Sequence, residues 1–135
     1  MSATDPIGEL LKAAKTIAVV GLSDSPLRAS HGVAAYLQMQ GYRIIPVNPT
    51  IEEALGEKAY PSLLDIPAEE KIDVVDIFRR SEHVPTIVEQ AIARRVPAVW
   101  MQETVVHPEA AEKARQAGIF VVMDRCILKE HQARS

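Results

Sequence analysis

The segment TIAVVGLSDSPLRASHGVAAYLQ, residues 16–38, decides the fold of this chain. Its first five residues are mostly apolar and β-branched, which is typical of a buried strand. A glycine and a polar loop follow, and apolar residues then recur at helical spacing up to Gly41. A strand, a short polar loop and a helix in this order predict the first half of a βαβ unit.

Four more short apolar runs follow this unit along the chain. They are YRIIPV (42–47), DVVDIF (73–78), AVWM (98–101) and IFVVM (119–123). Helical patterns separate them, over residues 81–95 with Ser81 as cap, and over PEAAEKARQ from Pro108 to the stop at Gly118. Further helices are predicted before the first strand and over residues 126–132. Five strands alternating with helices predict an α/β fold, a doubly wound parallel sheet with helices on both faces.

The composition bounds the class of protein. With 135 residues, 47% of them hydrophobic and 24% charged, the chain is expected to form one globular domain over residues 1–135. Its net charge of −3 argues against a nucleic-acid binder. No apolar run approaches the ~20 residues of a membrane span, and no signal peptide is evident. The lone Cys126 excludes an internal disulfide and favours a reducing compartment, so we expect a cytoplasmic protein.

Charge is unevenly distributed along the chain. Residues 51–76 contain eight acidic and two basic residues, which leaves a net charge of +3 on the remainder. Pro61 and Pro67 lie in this acidic segment, which predicts a meandering connection with one helical turn near Ser62–Asp65. The rest of the chain can therefore hold a basic site, and the positions of the arginines decide where it lies.

The loops after the strands hold the candidate binding residues, because ligands of open α/β sheets bind at the carboxyl ends of the strands. In the first loop, Gly21 allows close approach of a ligand to the backbone. Phosphate donors follow at a helix N-terminus, namely Ser23, Arg28 and Ser30. The dinucleotide motif G-x-G-x-x-G is absent, since its later glycines are replaced by Ser23 and Pro26. The alternative is an ordinary loop with Ser30 as helix N-cap.

The second and third loops carry opposite indications for nucleotides. Asn48 and Pro49 stand where NAD enzymes usually place an acid, and turn formation is the alternative reason for them. Arg79 and Arg80 follow Phe78 and precede a helix, where cations oppose the helix dipole. An anionic ligand is one explanation for the two arginines. The alternatives are solvated surface charge or neutralisation of the acidic segment.

The last two loops carry weaker signals. Gln102 is a candidate donor to a ligand amide or a merely polar surface residue, and His107 before Pro108 is interpreted as a capping neighbour. Cys126 follows Arg125 at the start of the last helix, an arrangement typical of reactive cysteines, with a small buried residue as the alternative. No zinc or hydrolase motif is present, so the residues predict an anion-binding α/β domain without evident catalytic machinery.

A series of motifs covering residues 8–132 resembles the small stand-alone CoA-binding proteins, which are similar to the N-terminal domain of the succinyl-CoA synthetase α subunit. The motifs are GLS at 21–23 with Pro26, Arg28 and Ser30, then GYRIIPVNP (41–49), VDIFR (75–79) and VMDRC (122–126). The resemblance implies a Rossmann-like fold with strand order 3-2-1-4-5. It places CoA phosphates and adenosine around Gly21, Ser23, Arg28, Ser30, Asn48, Pro49, Phe78 and Arg79.

The expected function is therefore binding of coenzyme A or an acyl-CoA, with no chemistry of the protein's own. The synthetase's phosphorylated histidine lies in a second domain, for which this chain is too short, so the resemblance does not imply ligase chemistry. The alternatives are an NAD(P)-dependent oxidoreductase and a CoA-binding subunit of a separate acyl-CoA ligase. Neither nucleic acid nor a membrane is an expected partner.

Overall fold

A computed structural model describes residues 4–135 of the chain. Five parallel strands form one sheet in the order β2-β1-β5-β6-β7, and β3 and β4 form a separate antiparallel pair. The strands are β1 (Thr16–Val20), β2 (Arg43–Val47), β3 (Glu53–Ala54), β4 (Glu57–Lys58), β5 (Val74–Ile77), β6 (Ala98–Met101) and β7 (Phe120–Val122). The helices are α1 (Pro6–Ala13), α2 (Ala29–Met39), α3 (Val84–Ala93), α4 (Pro108–Gln116) and α5 (Ile127–Gln132).

The sheet separates two apolar cores, one on each face. On one face, Val75 and Val99 pack with residues of α3 and α4, such as Val88. On the other, Ile17 and Trp100 pack with residues of α1, α2 and α5. A sheet covered on both faces explains why its strands read as apolar runs rather than alternating patterns. The predicted Rossmann-like α/β fold with helices on both faces is confirmed.

The strand order agrees with the expected 3-2-1-4-5 pattern. The chain segment next to β2 at the edge of the sheet, however, is not the one predicted. Segment 73–78, third among the predicted strands, forms β5 and pairs with β1 instead of lying outside β2. The place outside β2 belongs to Tyr60, which forms a single parallel bridge with Val47. If this bridge is counted as the third strand, the order reads 3-2-1-4-5-6. Pro61 follows at once and has no N–H to extend the ladder, which limits this strand to one bridge.

The acidic connection between β2 and β5 is more ordered than the sequence suggests. The expected helical turn is present as a 3-10 turn over Leu63–Asp65, and the Ser62 hydroxyl accepts a hydrogen bond from the Leu64 N–H. The β3–β4 hairpin was not predicted. Its turn places Leu55 and Gly56 at φ of 54° and 76°, the left-handed geometry of a two-residue hairpin turn. Such turns usually read Asn-Gly or Asp-Gly, and with Leu55 in the first position this sequence signal is absent.

Helix starts differ from prediction at two positions. The helix predicted from Ser81 begins at Val84 after a 3-10 turn, and Ser81 is not its cap. Instead, the Ser81 hydroxyl accepts a hydrogen bond from the Val106 N–H at 2.9 Å. The last helix begins at Ile127, one residue later than predicted. Ser81 therefore joins the loop after β5 to the loop after β6, two of the loops that border the candidate site.

Candidate functional site

Gly21 marks the point where the loops after β1 and β5 touch. Its φ is +90°, and a Cβ atom there would lie 2.4 Å from the carbonyl oxygen of Phe78 and 3.0 Å from the Arg79 side chain. Its N–H also donates to the carbonyl of Val47 at 2.8 Å. Packing between protein loops therefore already requires glycine at this position. The glycine brings the ends of β1, β2 and β5 together and supports the stem of Arg79.

The serines of the first loop bond to the loop itself. The Ser23 N–H donates to the buried Ser30 hydroxyl at 3.0 Å, and the Ser25 N–H donates to the Ser23 hydroxyl at 3.0 Å. Each hydroxyl accepts in these bonds and keeps its own proton for another acceptor. Ser30 is not the helix N-cap, because α2 begins at Ala29 with Arg28 at the N-cap position. The hydroxyls therefore set the shape of the loop.

The N-terminus of α2 has no side-chain cap. Arg28, its N-cap residue, makes no capping hydrogen bond, and its side chain is exposed. The start of α4 differs, because Nδ1 of His107 accepts the Ala110 N–H at 3.1 Å. His107 is therefore the cap itself, in line with its predicted capping role. An uncapped helix N-terminus presents free N–H groups and a positive dipole end to an anion.

Asn48 ties the second loop to the first. Its Nδ2 donates to the Leu22 carbonyl at 3.0 Å, and its Oδ1 accepts from the Thr50 N–H at 2.9 Å and hydroxyl at 2.8 Å. These bonds confirm the turn interpretation of Asn48. The neighbouring Pro49 borders a small cleft.

Arg79 and Arg80 differ in their surroundings. Arg79 is half-buried, and its guanidinium has no hydrogen-bond or ion-pair partner among residues 4–135. The Arg80 side chain is 87% exposed and lies 4.0 Å from Glu82. Within the described chain, no ion pair joins either arginine to the acidic segment, where Glu70 pairs with Arg43. Neutralisation of that segment therefore does not explain the two arginines.

Two clefts open at the carboxyl edge of the sheet, and Arg79 borders both. The larger has a volume of about 550 Å³. It runs from the start of α2, at Ala29 and Val33, past Phe78 and the two arginines to Gln102 and Cys126. The smaller, of about 200 Å³, lies between Pro49, Pro61 and Thr86 of α3. Sequence reasoning did not identify Val33 or Val105 as lining residues, because they resemble ordinary core positions.

The far end of the larger cleft is built by a loop that folds back over β6. The Trp100 Nε1–H donates to the Arg125 carbonyl at 2.8 Å, and the Arg125 N–H donates to the Met101 carbonyl at 3.3 Å. Gln102, only 4% exposed, accepts the Ile127 N–H on its Oε1 at 3.1 Å. These bonds bring Cys126 to the cleft although it follows the edge strand β7. Gln102 is thus a buried structural residue as well as a lining one.

Asp76 lies buried beneath this edge of the sheet. It sits in β5 between Val19 and Trp100 of the neighbouring strands, two residues before Phe78. It is 0% exposed, and both carboxylate oxygens lack a hydrogen-bond partner among the described residues. Burial raises the pKa of this carboxyl well above its ordinary value. Sequence reasoning missed Asp76; the one available signal is a single acid inside the apolar run VVDIF.

Metal-ligand clusters and membrane spans are both absent from residues 4–135. No three His, Cys, Asp or Glu side chains among them are grouped so that they can hold a metal ion. No helix within the same residues has the length and apolar character needed to cross a membrane.

Comparison with known proteins places the chain in a domain family. Residues 15–132 match the sequence model of a CoA binding domain. The chain belongs to this CoA-binding domain family. The uncharacterized protein YneT of Bacillus subtilis strain 168 is 48% identical over 125 residues, which span 93% of this chain and 91% of YneT.

Two further relatives extend the comparison from stand-alone proteins to enzymes. A hypothetical protein from Pyrococcus horikoshii OT3 has the same fold, with 42% identity, a TM-score of 0.91 and 98% of each chain covered. The ADP-forming acetate–CoA ligase II of Archaeoglobus fulgidus is 31% identical over 84 residues, which span 61% of this chain and 12% of the ligase. The CoA-binding domain family therefore includes chains of this size and regions of larger acyl-CoA ligases.

Proposed function

We propose that this protein binds coenzyme A or an acyl-CoA in the two clefts at the carboxyl edge of its sheet. The position of Arg79 carries the proposal. The residue is half-buried, and its guanidinium is unpaired within residues 4–135. It borders both clefts and lies next to the loop that leads to the uncapped start of α2. In a member of the CoA-binding domain family, such a cation is well placed for the pyrophosphate. Residues 1–135 act as one binding unit in this proposal.

The phosphate groups account for the polar side of the site. Arg79 and the free N–H groups at the start of α2 bind the pyrophosphate, and Arg28 reaches the same region from the exposed N-cap position. Ser23 and Ser30 keep the first loop in shape and offer their hydroxyl protons. Arg80, largely exposed at the rim, supplies long-range attraction to a polyanionic ligand.

The pantetheine arm fits the larger cleft. The cleft volume of about 550 Å³ lies within the usual range for ligand sites. Val33, Phe78 and Val105 give it an apolar lining, while Gln102 offers an amide at its far end. An arm with a flexible apolar chain and two amide groups matches this combination. The smaller cleft beside Pro49 and Pro61 takes the adenosine part of the ligand.

Asn48 argues against the oxidoreductase alternative. NAD enzymes use an acid at the end of the second strand to hold the ribose hydroxyls. Here both polar ends of the Asn48 side chain already bond to the protein. The ligase-subunit alternative has more support, because the matched region of the A. fulgidus protein is part of an acetate–CoA ligase. In that role the chain presents bound CoA to a separate catalytic subunit.

Isothermal titration with CoA, dephospho-CoA and NAD tests the proposal. CoA is expected to bind at least tenfold more tightly than NAD. Dephospho-CoA retains the pyrophosphate and pantetheine, so its loss of affinity measures the contribution of the 3′-phosphate alone. Binding of NAD as tight as that of CoA would overturn the proposal. A pull-down with CoA-loaded protein then tests the ligase-subunit role, for which an acyl-CoA ligase subunit is the expected partner.

A further inference from the structure

Cys126 borders the larger cleft in a setting that its sequence position does not reveal. The edge strand β7 lies three strands from β1, yet the loop after it folds back over β6 through the Trp100 and Arg125 hydrogen bonds. The half-buried thiol therefore lines the same cleft as Arg79 and Phe78. The strand over which this loop folds, β6, is the direct neighbour of β5, the strand that Arg79 follows.

Gln102 provides a second, independent sign that this end of the cleft receives a ligand. Its side chain is almost completely buried, since only 4% of the residue is exposed, and its Oε1 is fixed by the Ile127 N–H. The amide nitrogen has no hydrogen-bond partner among residues 4–135, and the residue lines the cleft. The buried side-chain polar atoms without a partner in residues 4–135 are the two Asp76 oxygens, so the Gln102 nitrogen keeps contact with the cleft and can donate to a ligand or water there. The Cys126 thiol lines the same cleft as this amide.

Basic and acidic side chains both lie around this cleft, and Glu103 is among its lining residues. Arg79 and Arg80 line the same cleft, and Lys129 lies one helical turn beyond Cys126. The pKa of Lys129 is raised chiefly by its hydrogen bond to Glu103 at 3.0 Å, and Cys126 raises it further. The lysine ammonium is thus within electrostatic reach of the sulfur. Disulfide exchange proceeds through the thiolate form of the attacking cysteine.

We propose that Cys126 is a modification site, where its thiolate forms a reversible mixed disulfide with the sulfur end of bound CoA. The inference rests on the proposed function, because the phosphates must hold CoA with its sulfur at this end of the cleft. The thiol proton first passes to solvent. The Cys126 thiolate then attacks one sulfur of CoA disulfide, the S–S bond breaks, and one CoA thiolate leaves. Cys126 is oxidised, the departing CoA is reduced, and a small thiol reverses the reaction.

Intact-mass analysis after treatment with CoA disulfide tests the inference. Wild-type protein is expected to gain one CoA moiety and lose it with dithiothreitol, whereas Cys126→Ser, checked for folding by circular dichroism, gains none. 2-Hydroxyethyl disulfide, which is uncharged, serves as the matched probe of intrinsic thiol reactivity. CoA disulfide should react at least tenfold faster than this probe. Arg79→Ala should remove most of that advantage while changing the reaction with the neutral probe little.

The outcomes separate this inference from the proposed function. If CoA binds but the two disulfides react at equal rates, or no adduct forms, Cys126 is a structural thiol and CoA binding stands. If CoA does not bind at all, the proposed function fails, and the mixed disulfide fails with it. An adduct that Cys126→Ser retains would likewise overturn the assignment.

Discussion

Replacing Asp76 by Asn should change the pH dependence of stability far more than the same replacement at an exposed acidic residue. The carboxyl lies between Val19 and Trp100 at 0% exposure, and no partner for it exists among the described residues. Burial without a compensating cation or donor disfavours the ionised form, which raises the pKa well above the ordinary value of 3.8. Asn has nearly the same shape and never ionises.

The direction in which stability changes with pH follows from the protons that the folded and unfolded states bind. As pH rises above the ordinary value of 3.8, the unfolded chain releases the Asp76 proton while the folded protein keeps it. The free energy of unfolding therefore falls by about 1.4 kcal/mol for each pH unit. The decline ends where pH reaches the raised pKa of the folded state. Each pH unit of this decline removes a sizeable part of the ~5–15 kcal/mol that stabilises a typical domain.

Urea unfolding at half-unit steps from pH 4 to pH 8 measures this effect. The stability of Asp76→Asn relative to wild type should rise with pH along the slope given above, whatever its value at pH 4. Asp24→Asn, which removes an exposed carboxylate, controls for the change in net charge. Parallel pH curves for wild type and Asp76→Asn would refute the reasoning. They would mean that the folded protein ionises Asp76 as easily as the unfolded chain does.

Four other substitutions test the site and its frame. Arg79→Ala and Arg28→Ala should each weaken CoA binding by about 1.5–3 kcal/mol if each makes a charge-assisted phosphate bond, and calorimetry on folded variants checks this. Normal binding by both variants would contradict the assigned contacts. Gly21→Ala should lower the free energy of unfolding by at least ~2 kcal/mol in urea, because positive φ and the Phe78 carbonyl both oppose a Cβ. His107→Ala should cost about 0.5–2 kcal/mol by the same assay through loss of the α4 cap, without affecting CoA binding.

Sequence patterns were sufficient for the elements whose apolar periodicity is strong. PEAAEKARQ forms α4 with the predicted bounds, and AVWM forms β6 with the predicted bounds. The place of the third strand was not predictable in this way. One parallel bridge at Tyr60 leaves no apolar run to detect, and the four-residue strand at 74–77 has the same composition whichever neighbour it pairs with.

The candidate site, like the fold, was predictable from the sequence only in part. That its residues lie on the loops after the strands follows from the rule for open α/β sheets, and the structure brings Phe78, Arg79, Arg80, Gln102 and Cys126 to one cleft. The side-chain roles of Asn48 and Ser30 depend on long-range partners, Leu22 and Ser23, which periodicity does not specify. Asp76 was missed because its one local signal, an acid inside the apolar run VVDIF, does not distinguish a buried acid from one at a strand end.

The bonds within the first loop affect how a ligand is received. Ser23 and Ser30 hold the loop between β1 and α2 in one shape before any anion arrives. A glycine-rich loop of the dinucleotide type has more backbone freedom to lose on binding. Here that conformational entropy is lost during folding, so the proposed anion site is preorganised and CoA association should require little induced fit. Encounter then depends mainly on diffusion and on electrostatic steering by the exposed arginines, and its rate should fall as ionic strength rises.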